Sequence, residues 1–559
     1  MTLNRVIIAA LALITPLAAR PAVASSEERP NIIIMMADDM GYECLSCNGS
    51  LDYDTPHLDG LASQGIRFDN CYSLPICTPT RVKMMTGRYS FRNYERFGLL
   101  PSVETTFGTV LQKAGYNTCI VGKWQLGGDW QSPTQFGFDE YCLQNGIEPE
   151  DAYDKSTRGR SRYWGYPPMV ANGKLYESEE TFGPDMLNEF AVNFIKKDRE
   201  EPFFIYYPML LTHSPFEPSP LTKGKKGKDG KTSEVQYFDD MVEYTDHLVG
   251  NVVKALEESG QLDNTLLIFT GDNGTTYPIK VTASNPDVRR IVAESGRVGE
   301  LYEAGTPSPT LEKGIASEGP ITRTTYGDVP GGKDLMNASG THVPLVVSWP
   351  KHAEDHAVIG NVSDDLIDFS DFFATFAELA GANLPDEEAG DGVSFVNRLT
   401  GLGASPRDYV FCHYWHFGRD PQKAREAIHD GEWKLYNDGR FYHVANDLDE
   451  TQPLDLKQAP EKAITAHKRL TTAYEDLRGL TVPNQAPSKM FDGNLESAAK
   501  VITLEMQLKQ GQERAKKIGK EYDEASTTRF FNAKDRNGDG VIDASENKLK
   551  VAPGWNDVK

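Results

Sequence analysis

The sequence predicts an α/β fold in which a large, mostly parallel sheet is covered by helices on both faces. Short continuous apolar runs recur along the first two-thirds of the chain, and stretches of helical periodicity separate them. Strands covered by helices on both faces have such unbroken apolar runs, because neither face meets water. A smaller antiparallel α+β subdomain and a helical tail are expected to follow.

The predicted elements follow one another along the chain. Each predicted helix ends at a glycine, which readily adopts the left-handed conformation found after helices. The apolar runs are 31–36, 116–121, 203–211, 266–270 and 345–349, and the helical stretches are 57–64, 105–114 and 234–259. Alternation of strands and helices in this order is typical of parallel sheets.

The pattern changes after residue 405. Short strands at 409–413, 433–436 and 441–443 are separated by turns, which predicts a small antiparallel sheet. We therefore expect a catalytic domain at 25–405, a C-terminal subdomain at 406–490 and a helical tail at 491–559. The segment 274–332, rich in Gly, Ser, Thr and Pro, is interpreted as an insertion near a pocket with one helix at 287–301.

The N-terminus resembles an export signal. Arg5 precedes an apolar stretch at 6–17, and Ala22-Val23-Ala24 forms a small-residue cleavage site before Ser25. We expect residues 1–24 to be removed and the mature protein to be periplasmic or secreted, without membrane association. Export permits disulfides, and the seven cysteines include a Cys44–Cys47 pair interpreted as a loop pair or a local disulfide.

Composition excludes one class of partner. The chain of 559 residues carries a formal net charge of −23. Proteins that bind nucleic acid need a positive face, so we expect no nucleic-acid partner.

Polar side chains follow four of the predicted strands. Asp38-Asp39 come after the first run and Asp272-Asn273 after 266–270, while Lys123 and His213 follow two others. Ligands of parallel sheets bind beyond the carboxyl ends of the strands. Carboxylate and amide oxygens suit a hard divalent cation, so the sequence predicts a metal site with basic side chains beside it.

A second motif is Cys77-Thr78-Pro79-Thr80-Arg81. Thr78 is predicted to cap a helix that has Pro79 in its first turn and ends at Gly87. Cys77 then lies at the helix N-terminus, where the dipole favours anions and lowers the pKa of a thiol. Arg81, one turn along, is expected to face the same anion.

Together these motifs resemble the type I, formylglycine-dependent sulfatases of the alkaline-phosphatase-like superfamily. Cys77-x-Pro79-x-Arg81 is similar to their signature, and the resemblance extends over about residues 30–480. The other motifs occur in the family's order: Asp38-Asp39, Gly122-Lys123-Trp124, Thr212-His213-Ser214-Pro215, Gly271-Asp272-Asn273-Gly274, Gly331-Gly332-Lys333 and Gly340-Thr341-His342-Val343-Pro344.

The resemblance implies a mechanism. A maturation enzyme would oxidise Cys77 to formylglycine, whose hydrated form attacks the sulfate sulfur and forms a covalent sulfate intermediate. One Ca²⁺ would be held by Asp38, Asp39, Cys77, Asp272 and Asn273. Arg81, Lys123 and Lys333 would neutralise the sulfate oxygens, and His213 would contact sulfate or protonate the leaving alcohol. The implied substrate is an O-sulfate ester, which export and the insertion suggest is carried by a sulfated carbohydrate.

Two residues depart from the family pattern. Gln125 stands where a His often follows Lys-Trp, and a Gln side chain cannot act as a base. His342 stands where an Arg is common; both are candidate substrate contacts. Two alternatives therefore stay open: a related phosphate or phosphonate ester hydrolase, and an inactive homologue that only binds glycans.

Further candidates lie towards the C-terminus. His413 and His416 either line a sugar subsite or pack between subdomains. The lysine-rich loop 223–231 is either a flexible surface loop or an attractant for polyanionic glycans. An EF-hand-like loop at 535–546 predicts a second Ca²⁺, with ligands at Asp535, Asn537, Asp539, Val541, Asp543 and Glu546.

Overall fold

The computed structural model describes most of the chain between residues 29 and 479. The described ranges are 29–128, 131–144, 163–164, 169–176, 181–222, 237–276, 320–351, 359–385, 388–415 and 424–479, with the backbone of 502–503 and 541–542. The predicted signal peptide, the helix at 287–301, the lysine-rich loop, His416 and the ligand side chains of the loop 535–546 lie outside them.

A sheet of ten strands forms the centre of the molecule, in the order β12-β2-β11-β8-β1-β7-β3-β4-β5-β6. Strands β1, β7, β8, β3 and β4 run parallel, as do β2 and β12, whereas β11, β5 and β6 pair antiparallel with their neighbours. The strands are β1 Asn31–Ala37, β2 Ile66–Tyr72, β3 Asn117–Lys123, β4 Glu140–Gln144, β5 Met169–Ala171, β6 Lys174–Tyr176, β7 Phe203–Pro208, β8 Thr265–Gly271, β11 Leu345–Ser348 and β12 Asn361–Asp368.

Helices cover both faces of this sheet. Alternate residues of β1 enter two different apolar cores, because successive side chains of a strand point to opposite faces: Ile32, Ile34 and Met36 enter one core, and Ile33, Met35 and Ala37 enter the other. The helices are α1 Pro56–Ser63, α2 Cys77–Thr86, α3 Ser90–Asn93, α4 Phe107–Lys113, α5 Ser132–Gln135, α6 Gly183–Ile195, α7 Phe238–Glu258, α8 Ala338–Thr341, α9 Asp371–Leu379 and α10 Val396–Leu399. The large mostly parallel sheet predicted from the apolar runs is confirmed.

A separate four-stranded antiparallel sheet follows, as predicted. Its strands are β13 Val410–Tyr414, β14 Arg425–His429, β15 Trp433–Tyr436 and β16 Phe441–His443, and helix α11 Glu461–Arg478 packs on it. Its other face shares an apolar cluster with Ile76 and Cys77, so this sheet lies beside the start of α2. A hairpin of β9 Ile321–Thr324 and β10 Gly327–Pro330 leads into Lys333.

Two observations bear on the remaining expectations. All seven cysteines are free thiols, so Cys44 and Cys47 form no local disulfide. Within the described ranges, none of the helices is long and apolar enough to cross a membrane.

The domain boundaries stay predictions. Val541–Ile542, inside the EF-hand-like loop, pairs antiparallel with Ile502–Thr503, a contact that the sequence did not predict.

Candidate active site

The predicted polar residues meet at one edge of the large sheet. Strands β8, β1, β7 and β3 are neighbours, and their carboxyl ends lead to Asp272, Asp38, His213 and Lys123. Because the strands run parallel, all four ends lie on the same side of the sheet. The structure therefore brings these residues together from positions far apart in the sequence.

Three buried carboxylates form the centre of this site. Asp38, Asp39 and Asp272 are fully buried, and the backbone amide of Asp39 donates to Asp272 Oδ1 at 3.0 Å. One ligand atom from each of Asp38, Cys77 and Asp272 fits within 4.8 Å, and the same is true of Asp38, Asp39 and His213. Carboxylates crowded this closely repel one another unless cations or a bound proton reduce their charge.

Protein cations supply part of that compensation. Lys123 Nζ lies 2.9 and 2.8 Å from the two carboxylate oxygens of Asp38. Arg81 donates to Asp272 Oδ2 through Nε at 3.2 Å and through a terminal nitrogen at 2.7 Å. Lys333 Nζ lies 2.7 Å from Asp39. Three cations thus contact three carboxylates, and each cation comes from a different element.

These cations decide the ionisation of the carboxylates. Burial raises the pKa of Asp38, but Lys123, His213 and Arg81 outweigh it and hold the pKa well below its ordinary value. For Asp39 the burial effect is likewise overcome, chiefly by Lys333, and the pKa falls to about 2. Asp272 differs, because burial and the charge of Asp38 together raise its pKa to about 6. A bound divalent cation would favour the charged form of all three.

One oxygen at the centre has no partner in the described part of the chain. The side-chain nitrogen of Asn273 donates to Asp39 Oδ1 and to the carbonyl of Gly274, both at 2.9 Å. Its Oδ1 is buried without a hydrogen bond, which is costly for a polar atom unless a ligand satisfies it. An unpartnered amide oxygen beside three carboxylates fits a hard cation such as Ca²⁺.

Cys77 is the first residue of α2 and lies beside these groups. The predicted cap is wrong: Ile76 occupies the N-cap position without a side-chain cap, and the hydroxyl of Thr78 accepts from the amide of Gly98. The helix ends at Gly87, which has φ of 66°. Burial raises the pKa of the Cys77 thiol and outweighs the lowering by Lys123 and Lys333, contrary to the effect expected from the helix dipole.

Gln125 contacts Cys77 directly. The thiol donates to Gln125 Oε1 at 3.0 Å. Gln125 has φ of 51°, a left-handed conformation uncommon for residues other than glycine. Strained backbone of this kind is concentrated at functional sites. The sequence identified the residue but gave no sign of this conformation.

His213 lies at the opening of the site. Its Nδ1 is 2.6 Å from the carbonyl oxygen of Ser214, so this nitrogen carries the proton and donates. Its Nε2 lies 3.7 Å from Asp39 Oδ2, and the side chain is 21% exposed. Nε2 is therefore the nitrogen that can exchange a proton with a bound molecule.

The other predicted substrate contacts pack against protein. His342 stacks between Tyr42 and Tyr72, with ring centroids 4.1 and 5.1 Å away, and its Nε2 lies 2.8 Å from the carbonyl of Asp69. Burial lowers the pKa of His342 to about 4, so it is neutral and does not replace the positive charge of an arginine. His413 is 1% exposed and pairs with Glu426, which favours the packing alternative over a sugar subsite.

Two threonines that support the site were not identified from the sequence. Thr276 donates its hydroxyl to Asp39 Oδ2, and the carbonyl of Thr275 accepts the backbone amides of Gly332 and Lys333 at 2.9 and 3.0 Å. The residues after Asn273 therefore fix both a carboxylate and the loop that carries Lys333. Their position just after Asp272-Asn273 is the only sequence signal.

Comparison with known proteins gives matches over most of the chain. A family model described as Sulfatase matches residues 30–382. A second model, N-sulphoglucosamine sulphohydrolase, C-terminal, matches residues 332–478.

Curated relatives and a solved structure agree with these models. N-acetylgalactosamine-6-O-sulfatase of Bacteroides thetaiotaomicron is 27% identical, covering 73% of this chain and 82% of its own. Human N-acetylgalactosamine-6-sulfatase is 29% identical, with 83% and 88% covered. The crystal structure of Ps i-CgsB in complex with k-i-k-neocarrahexaose has a TM-score of 0.59 and 25% identity, covering 84% of this chain and 96% of that one.

Proposed function

The chain belongs to the sulfatase family and is a sulfuric ester hydrolase, and we propose that it removes an O-sulfate group from a carbohydrate. The proposed nucleophile is a formylglycine (3-oxoalanine) made from Cys77. The proposed cofactor is one Ca²⁺ held by Asp38, Asp39, Asp272 and Asn273, with residue 77 as a further ligand. A formylglycine-generating enzyme would be the maturation partner.

One observation carries the proposal. Cys77 begins a helix whose N-terminus lies beside three buried carboxylates, three cations and the unpartnered Oδ1 of Asn273. The formylglycine supplies, when hydrated, a hydroxyl group that can attack sulfur, and Ca²⁺ supplies positive charge. A sulfate ester is anionic, so it needs a local positive field that the net charge of −23 does not provide.

The basic residues provide that field. Arg81 and Lys123 are buried and held in place by Asp272 and Asp38. Lys333 has its pKa raised, because Asp39 and Cys77 outweigh the opposing effect of burial, so it stays charged. Positive groups fixed before substrate arrives stabilise charge that develops on the sulfate oxygens without further reorganisation.

Two residues would handle the leaving alcohol and the nucleophile. Because Nδ1 of His213 donates to a backbone carbonyl, the proton passed to the departing sugar oxygen would come from Nε2 of the doubly protonated imidazolium ring. Gln125 lies against residue 77 and cannot accept a proton as a base. Its role is to orient the group at position 77 by hydrogen bonding.

The carbohydrate assignment comes from the relatives. The two curated relatives described above are named as 6-sulfatases of N-acetylgalactosamine. We therefore propose a 6-O-sulfated N-acetylhexosamine as the first substrate to test.

The test is turnover of a panel of defined sulfated saccharides by protein co-produced with a maturation enzyme, together with mass spectrometry of the Cys77 peptide. We expect sulfate release from at least one saccharide and the mass of formylglycine at position 77. Hydrolysis of 4-nitrophenyl phosphate in preference to the sulfate would favour a phosphate or phosphonate ester hydrolase. An unmodified thiol with no turnover would favour a glycan-binding homologue.

We also propose export and a second Ca²⁺ site in the tail. Export is supported by the sequence of residues 1–24, and the tail site by the ligand spacing from Asp535 to Glu546. Peptide mapping of the secreted mature N-terminus tests the first proposal. Calcium titration of Asp535→Ala against the wild-type chain tests the second, with one fewer bound ion expected.

A further inference from the structure

The polar side chains around Cys77 form a buried floor and a partly exposed rim. The floor consists of Asp38, Asp39, Asp272, Arg81 and Lys123, each no more than 1% exposed. The rim consists of Gln125, His213 and Lys333, which are partly exposed, and Asp334, the residue after Lys333, is partly exposed as well. When a sulfate group is bound at the floor, the sugar attached to it lies at the rim. Residues of the rim can therefore contact the sugar and distinguish one sugar from another.

Asp334 contacts both the chain that leads into α2 and the small antiparallel sheet. It follows Lys333, which contacts Asp39, and its backbone amide donates to the carbonyl of Pro75 at 2.8 Å, two residues before Cys77. Tyr414, the last residue of β13, donates its hydroxyl to Asp334 Oδ1. Asp334 is therefore held between the loop of Lys333, the chain that enters α2, and the small sheet.

The backbone of Asp334 is in a conformation that few residues other than glycine adopt. Its φ is 74°, in the left-handed region that glycine adopts most readily. Aspartate and asparagine tolerate this region better than most residues. A carboxylate is thus present at a position where glycine would be the easiest residue to place, and asparagine is the substitution that keeps this backbone.

Tyr414 gives the carboxylate a fixed direction. Its ring is 5% exposed and packs in the apolar cluster that contains Ile76 and Cys77. Arg425, its partner on β14, lies with its guanidinium 5.7 Å from the centre of that ring. A buried ring with one donated hydrogen bond fixes Asp334 more firmly than a surface contact would, because the ring has little freedom to move.

Building on the proposed function, we propose that Asp334, held by Tyr414, is a specificity-determining residue. Its carboxylate would contact the sugar that carries the sulfate and determine which sugars are accepted. A carboxylate accepts hydrogen bonds from a hydroxyl or an amide N–H and repels a second anion. The preferred substrate class is therefore a monosulfated neutral sugar residue with a free hydroxyl or amide next to the ester. A second sulfate or a uronate carboxylate at that place is disfavoured.

The experiment compares Asp334→Asn, Tyr414→Phe and wild type on three substrates. These are N-acetylgalactosamine 6-sulfate, its 4,6-disulfate and 4-nitrophenyl sulfate, which carries no sugar. Asparagine keeps the shape and the left-handed backbone and removes the charge. Asp328→Asn, an exposed aspartate on β10, is the matched control.

We expect wild type to prefer the monosulfate over the disulfate by about tenfold or more in kcat/KM, the ratio that a single like-charge contact gives. Asp334→Asn should reduce that preference to about threefold or less, with a much smaller change in hydrolysis of 4-nitrophenyl sulfate. Tyr414→Phe should also reduce the preference for the monosulfate. Asp328→Asn should leave kcat/KM unchanged on all three substrates.

Two results would overturn the inference. Equal losses on all three substrates in Asp334→Asn would mean that Asp334 only positions Lys333. An unchanged preference would mean that it does not meet the sugar. Failure of the proposed function looks different, because wild type would then release sulfate from neither saccharide, whatever its activity on 4-nitrophenyl sulfate.

Discussion

Helix α2 carries two basic residues that enter two different buried charged clusters. Arg81 reaches the active-site cluster of Asp38, Asp39 and Asp272. Lys83, two residues further along and so on another side of the helix, reaches Asp368, with Nζ 2.8 Å from Oδ2. Both clusters are buried, and both join elements distant in the sequence.

The two clusters differ in whether every buried polar atom described here has a hydrogen-bond partner. Asp368 accepts from Lys83, from the amide of Phe411 and from both the amide and hydroxyl of Ser370. Lys83 also donates to the carbonyl of Phe411 at 2.8 Å. The active-site cluster instead leaves Asn273 Oδ1 unpartnered. The complete Asp368 cluster fits a structural role, whereas an unpartnered oxygen beside three carboxylates fits a cation site, so buried charge alone does not identify an active site.

The largest effect is expected at Cys77, the proposed nucleophile position beside the incomplete cluster. Cys77→Ala should lower turnover by roughly 10³-fold or more, because no other side chain replaces the attacking group. Its free energy of unfolding should change little, since only one sulfur atom is removed. Cys142→Ala, another buried cysteine, is the control and should keep turnover. Substantial turnover in Cys77→Ala would refute the nucleophile assignment.

The second prediction replaces one carboxylate by an amide in each of the two clusters. Asp39→Asn should raise the Ca²⁺ concentration needed for half-maximal turnover by about 100-fold, since it removes charge from a proposed ligand. Asp368→Asn should leave that concentration unchanged. The measurement is turnover in calcium buffers, with EGTA removing activity from both. Equal calcium dependence in the two variants would contradict the distinction between the clusters.

The third prediction concerns stability. Lys83→Met leaves Asp368 buried without its cation, which typically costs about 3–5 kcal/mol. The free energy of unfolding in urea should fall by that amount, while kcat of the folded enzyme changes less than about twofold. Lys83→Met with Asp368→Asn should recover part of the loss, because the amide removes the unpaired charge and its oxygen can still accept a hydrogen bond from Phe411 or Ser370. A fall in kcat with unchanged stability would mean that Lys83 serves the active site.

The smallest effect is expected for a buried acid outside both clusters. Glu43 accepts from Thr275, and the described residues form no ion pair with it. Burial raises its pKa from 4.5 to about 7. The folded chain thus keeps a proton that the unfolded chain releases, and the resulting stabilisation is complete below pH 4.5 and lost as pH rises through 7.

Glu43→Gln should therefore reduce the fall in melting temperature between pH 5 and pH 8. The expected difference is roughly 1–3 kcal/mol of stability across that range. Glu257→Gln, an exposed glutamate on α7, is the control and should follow wild type. A Glu43→Gln variant with the pH profile of wild type would show that Glu43 is not held protonated in the folded chain.

The difference between the Arg81 and Lys83 clusters also shows how much of the site could be predicted from the sequence. Asp38, Asp272 and Lys123 were found because unbroken apolar strands lead directly to them, and strand direction fixes where they meet. Arg81 was found because it belongs to the Cys77-x-Pro79-x-Arg81 signature, whereas nothing in the sequence predicted the partners of Lys83, since they depend on tertiary packing. The left-handed backbone at Gln125 and Asp334 was equally hidden, because non-glycine residues give no signal for it.

Some elements of the fold were missed for local reasons. Strand β12 contains Asp364 and Asp365, which are rare in strands, and these two residues lie at an irregularity in its pairing with β2. Strand β14 gives too short an apolar run to stand out. Helix α11 presents alanines at 463 and 466 to the small sheet, and alanine gives only a weak apolar periodicity.

The complete burial of α2 bears on when the protein becomes active. Every residue from Cys77 to Thr86 is buried in the folded chain. A maturation enzyme has to reach the sulfur and the backbone around it, which this packing prevents. If Cys77 is converted as proposed, conversion precedes the docking of α2, and the two processes compete in time. A chain that folds first stays a thiol, so slower folding during synthesis should increase the fraction of active molecules.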